Sequence, residues 1–121
     1  MNKNDTYLAV FLGSKDGARM KSWMALSEAE RNAKAQEGMA AWHGWMERNQ
    51  ASIVASGGPL GKTKKITPHG TNDVSNEMGG FVVVRAPSHE AAAKMFEKHP
   101  HFSIFPGEAV EVMPVMPIPG G

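Results

Sequence analysis

Residues 99–113, HPHFSIFPGEAVEVM, place two of the chain's five histidines on either side of a proline. Histidine is the one side chain whose ordinary pKa falls near neutrality, so it is the usual general acid or base. His99 closes the apolar series Ala92, Met95, Phe96, His99, spaced as one face of a helix. There it reads either as a base facing a pocket or as an imidazole at the negative helix end, bonding the free carbonyls. His101 points the same way as His99 if the segment is extended. A His-x-His pair can chelate a metal but needs a third ligand, and the chain has no cysteine. Glu97 and Glu108 read as ordinary surface residues, which favours a shared pocket without metal. Phe102 and Phe105 follow closely enough to wall it.

Three more residues join this set. His43 sits at the edge of a helical stripe beside Met39 and Met46, either as a boundary residue or as a further proton carrier. Trp42 is a core residue or a platform for a ligand. Lys62 is an edge-strand lysine that blocks strand pairing, or a cation that attracts an anionic substrate. The expected site is therefore His99, His101 and His43 for proton transfer, with Trp42, Lys62, Phe102 and Phe105 binding substrate, no metal and no cofactor. The run GGPLGKT at 57–63 is not a phosphate loop. Ser56 stands where the first glycine would be required, and Pro68 and Gly70 prevent the following helix.

The elements that must position these residues can be read from periodicity. Residues 6–12 form a strand with Leu8, Val10 and Leu12 on one face and Tyr7, Ala9 and Phe11 on the other. Gly13 and Gly17 bracket a loop. Ser27-Glu28-Ala29-Glu30 is a capping box opening a helix to about Asn49. Its stripe is Ala35, Met39, Trp42 and Met46, widened by Gly38 and Trp45. Ile53–Ala55 is a short strand ending at Gly57-Gly58-Pro59, and residues 62–67 with 72–75 suit a polar hairpin. Residues 81–85, FVVVR, are a strand apolar on both faces. Ser88 caps a second helix, with Glu90 near its positive end, and Pro100 ends that helix at His99. Residues 109–115 form the last strand, before a proline-rich extended tail, MPIPGG.

The 121 residues suit one domain spanning 1–121, with no internal repeat. Thirteen basic and twelve acidic residues leave a net charge of +1, so no footprint for nucleic acid or anionic membrane exists. The absence of cysteine removes disulfides and thiolate chemistry. The opening MNKNDTYLAVFLG does not read as a secretory leader, and no apolar run approaches a membrane span, so the expected address is cytoplasmic.

The order β-α-β-hairpin-β-α-β is the ferredoxin-like α+β pattern, βαββαβ with an extra hairpin. Its helices cover only one sheet face, yet the strands at 7–12 and 81–84 are apolar on both. The economical cover is a second copy of the same sheet, a homodimer through sheet-to-sheet packing.

The strand TYLAVFL, the turn GGPL at 57–60, GGFVVVRA at 79–86, AAAKMFEKHP at 91–100 and VEVMPVM at 110–116, in this order and spacing, resemble a YCII-related protein. That family belongs to the dimeric α+β barrel superfamily, and the resemblance implies a ferredoxin-like monomer whose sheet packs on its twin's. Some members carry a His–Asp pair proposed as an active site, with the histidine on the first helix and the aspartate opening an Asp-Pro after the second. Here the Asp-Pro position is His99-Pro100, and the first-helix histidine would be His43. A second branch carries Asp-Gly-Pro-Phe, where this chain reads SNEMGGF. Through muconolactone isomerase-like members the superfamily implies a cofactor-free lyase or isomerase acting on a small organic acid or lactone. The alternatives are a non-catalytic small-molecule-binding or regulatory module, and a purely structural dimer without a pocket.

Overall fold

Alternation decides which side chains of the first strand meet the helices. In β1 (Asp5–Leu12), Tyr7, Ala9 and Phe11 are buried in the core. Their neighbours Leu8, Val10 and Leu12 face the other side, as a two-residue period requires. The structure, a computed structural model, describes residues 5–119. The leader reading for residues 1–4, and the two final glycines of the tail, lie outside the described residues.

After β1 come α1 (Ala18–Ala25), α2 (Glu28–Arg48) and β2 (Ile53–Pro59). The hairpin β3 (Thr63–Thr67) and β4 (Gly70–Val74) follows, then β5 (Met78–Ala86), α3 (His89–Lys94), α4 (Pro100–Ser103) and β6 (Ala109–Pro114). The main sheet runs β2-β5-β1-β6, every neighbouring pair antiparallel, and β3-β4 forms a separate two-stranded sheet. This is the ferredoxin-like α+β order with an inserted hairpin. Cross-strand pairs fix the faces: Ala9 lies opposite Val82 and Val112, and Leu8 opposite Val83 and Met113. The helix side of the sheet thus carries Tyr7, Ala9, Phe11, Val82, Val84 and Ala86 against Trp45, Ala92 and Phe96. The other side carries Leu8, Val10, Phe81, Val83 and Met113, of which only Val10 is buried. No helix of the described residues is long and apolar enough to cross a membrane.

The long helix begins where its capping box demands. Ser27 Oγ accepts from the Glu30 N–H at 3.1 Å, and the Glu30 carboxylate accepts from the Ser27 N–H at 2.9 Å. Its buried line differs from the expected stripe. Gly38 and Trp45 are buried, Trp42 is half-buried, and Met39 is 47% exposed. The cause is Phe105, whose ring covers Gly38 so closely that a Cβ there would sit 2.5 Å from it. The packed line therefore turns toward Gly38. The Trp45 indole N–H reaches the Met95 carbonyl at 2.7 Å, so burying it leaves no polar atom unpaired.

Two local structures depart from the sequence expectation. The stretch after Gly13 contains a helix, α1, rather than loop alone. The helix after Ser88 is regular only to Lys94. It unwinds through a turn to Lys98, which adopts a left-handed φ of 59°. Left-handed residues end helices. His99, with ψ 142°, then opens the new turn α4 with Pro100 at its first position, where proline's missing N–H costs nothing.

Candidate functional site

His99 is the N-cap of α4, not the last residue of α3. Its Nδ1 accepts the His101 backbone N–H at 3.0 Å, as a capping side chain does. Accepting at Nδ1 puts the ring's proton on Nε2, which is buried and meets no partner among the described residues. The ring is 0% exposed. Trp42 meets it edge-on at 4.5 Å between centroids, with Trp45 at 4.9 Å, Phe11 at 5.1 Å and Phe96 at 5.8 Å. Burial in this aromatic box, and secondarily the neighbouring His101, lower its pKa to about 4. His99 is neutral at pH 7, and its one lone pair is already used. The negative helix end that would favour the cation is absent, because α3 has stopped before it.

His101 differs. It is half-buried, and its Nε2 lies 2.7 Å from the Leu12 carbonyl, so Nε2–H donates there. With Nε2–H on Leu12, the neutral ring carries its lone pair at Nδ1, and the Ala109 carbonyl also acts on the ring. Burial lowers its pKa, the Leu12 and Ala109 carbonyls oppose that, and the Arg19 charge adds to it. The ring is backed by Gly107, where a Cβ would come within 2.5 Å of three ring atoms.

A groove of about 990 Å³ opens in front of His101. One wall is the hairpin side, with Leu60, Lys62, Val74 and Met78; the other is Met20, Phe105 and Pro106. The fold thus brings His101, Lys62 and Phe105 to one groove. Lys62 is exposed and forms no ion pair among the described residues, whereas Lys64 is bound to Asp73 at 2.7 Å. The remaining sequence candidates lie elsewhere. His99 and Trp42 stand behind His101 in the aromatic layer. Phe102 lines a smaller cleft of about 250 Å³ with Phe96, Val110 and Val112. His43 is exposed on α2 and lines none of these cavities. Among the described residues no three His, Asp or Glu side chains come together as a metal site.

Sequence reasoning missed Arg19 and Met20, because α1 was not legible. Arg19 donates from Nε to the Gly107 carbonyl at 2.7 Å and from Nη2 to the Phe102 carbonyl. A basic residue soon after a glycine loop was the only available signal, and many surface residues share it.

The model of the YCII-related domain matches residues 20–119. A solved structure is similar over 89% of this chain and 90% of its own, with a TM-score of 0.52 and 18% identity. It is 5-chloro-2-hydroxyhydroquinone dehydrochlorinase from Burkholderia phenoliruptrix AC1100, in complex with 2,5-dihydroxybenzoquinone. That likeness supports the fold, a ferredoxin-like α+β arrangement of an antiparallel sheet with helices. No curated protein sequence matches the chain.

Proposed function

The chain belongs to the YCII-related family, and we propose that it is a cofactor-free lyase or isomerase moving a proton on a small organic acid or lactone held beside His101. The observation that carries this reading is the company His101 keeps. A neutral imidazole with its lone pair at Nδ1 shares a groove with an unpaired cation, Lys62, and an aromatic wall, Phe105. In this reading Nδ1 removes a proton from carbon next to a carbonyl, and the C–H electron pair moves into the enolate. The Lys62 ammonium faces the growing negative charge. Return of the proton at another carbon isomerises the substrate; departure of a leaving group with the electron pair makes the reaction a lyase's. The similar structure, a dehydrochlorinase in complex with 2,5-dihydroxybenzoquinone, supports a small oxygenated organic molecule as the substrate class.

The same proposal includes a second copy of this one-domain chain over the open sheet face. Leu8, Val10, Phe81, Val83 and Met113 form the apolar centre, and a stable interface there would bury more than roughly 1,000 Å².

Titration of ¹⁵N-labelled protein with muconolactone tests the site. Shifts confined to Leu60–Lys62, Met78 and His101–Gly107 are expected, and His101→Gln should keep them. Shifts centred on the cleft around Phe102, or none at millimolar ligand, would overturn the assignment of the groove.

A further inference from the structure

Helix α1 is poorly justified by its own sequence. It buries no residue, and its N-cap Gly17 offers no side-chain bond. Yet one of its side chains crosses to a segment more than eighty positions away and takes two carbonyls there. Arg19 donates to Phe102 and to Gly107, the two ends of the turn that follows His101. That turn is closed on the imidazole. Gly107 N–H donates to the His101 carbonyl at 2.9 Å, and Gly107 has no side chain because the His101 ring occupies its space. At the same Nε2 edge the ring is held by the Leu12 carbonyl, and it faces Phe11 at 5.2 Å.

We propose that Arg19 is a positioning residue for His101. By gripping the Phe102 and Gly107 carbonyls it holds the turn that backs the imidazole, keeps Nε2–H on Leu12 and so leaves Nδ1 as the free base. The planar guanidinium suits this work, since two N–H vectors in fixed relation reach two acceptors where a lysine offers one point. The inference rests on His101 being the reactive group, as proposed above.

The charged groups around His101 are few. Arg19 faces it from α1. Lys15, Lys62 and Glu77 line the same groove, where Lys64 and Asp73 neutralise each other. Glu108 follows the turn, and His99, neutral at pH 7, lies behind. Of these only Arg19 both touches the turn and adds its charge to the groups acting on the ring.

Two variants separate position from charge, and neither readout needs a substrate. Arg19→Met removes both; Arg19→Lys keeps the charge and loses the fork. In Arg19→Met the Gly107 amide should exchange with solvent roughly tenfold faster than in the parent, while the β1–β5 amides of Ala9 and Val82 hold their rates. Its His101 ¹⁵N spectrum should show mixed tautomers, with a titration midpoint above the parent's. In Arg19→Lys the amide should also speed up, with the midpoint staying low. Parent-like exchange and tautomer in the variants would overturn the proposal. So would an equal acceleration of the core amides, which marks a merely structural residue. If Arg19→Met fails to fold, Arg19→Lys alone decides, through the Gly107 amide. A ring that loosens as expected in a protein that moves no proton on any substrate would refute the reaction and leave the positioning intact.

Discussion

Gly107→Ala is the sharpest test of how tightly His101 is held. The added Cβ would lie within 2.5 Å of three ring atoms, where ordinary contact begins at 3.4 Å. The imidazole must therefore retreat by about 1.1 Å to clear its nearest atoms, and if it moves along its bond the Nε2–Leu12 distance of 2.7 Å stretches to about 3.8 Å, no longer a hydrogen bond. The Leu12 carbonyl keeps its bond from the Glu108 N–H, so it is not orphaned, and the lost bond costs about 1 kcal/mol. Overpacking adds about 1–3 kcal/mol. Alanine's smaller unfolded-state entropy returns about 0.4–1 kcal/mol. The net is a loss of about 2 kcal/mol, or roughly 8 °C in Tm for a chain of this size. Circular dichroism melting measures the stability, and ¹⁵N spectra of the histidine rings report the tautomer. A Tm within 2 °C of the parent, with His101 still protonated at Nε2, would refute the tight backing described here.

Other expectations follow from single features. His99 has a folded pKa of about 4 against an ordinary 6.5, so the unfolded chain binds its proton first as pH falls. The stability this provides is complete above pH 6.5 and is lost down to about pH 4, a loss of roughly 3 kcal/mol. Urea unfolding at pH 7.5 and pH 4.5 should show most of that difference, and His99→Gln should flatten it. Lys62→Met should weaken an anionic groove ligand about two- to fivefold, the worth of one exposed charge, and an unchanged Kd by calorimetry would remove Lys62 from the site. Ser27→Ala breaks the capping box and should cost about 1 kcal/mol in thermal unfolding. Light scattering at micromolar concentration should give twice the 13.1 kDa chain mass, with Val83→Lys shifting it toward one.

The parts of this fold that could be read in advance are those where one residue pattern has one physical solution. The Ser27–Glu30 box and the two-sided strands at 7–12 and 81–84 were of that kind. The failures lay where a distant group decided. Met39 lost its place in the helix stripe because Phe105, sixty-six positions later, sits over Gly38. Helix α1 showed no apolar period because it buries nothing, and its partner carbonyls are at the other end of the chain. The two histidines were legible as a pair but not as unlike partners. Nothing in His-Pro-His says that one ring is wholly enclosed by Trp42, Trp45 and Phe11 while the other borders a groove. That division depends on Lys98 taking a left-handed conformation, which no lysine signals in sequence.

Solvent exchange measures most directly the proton transfer at carbon proposed for the groove beside His101. Protein incubated with muconolactone in D₂O at pH 7.5 should introduce deuterium next to the carbonyl, seen as loss of that ¹H signal. The rate should fall at least roughly a hundredfold in His101→Gln, the usual worth of a general base, and change little in His43→Gln. Exchange no faster than in buffer, or equal in the parent and His101→Gln, would rule out His101 as the base.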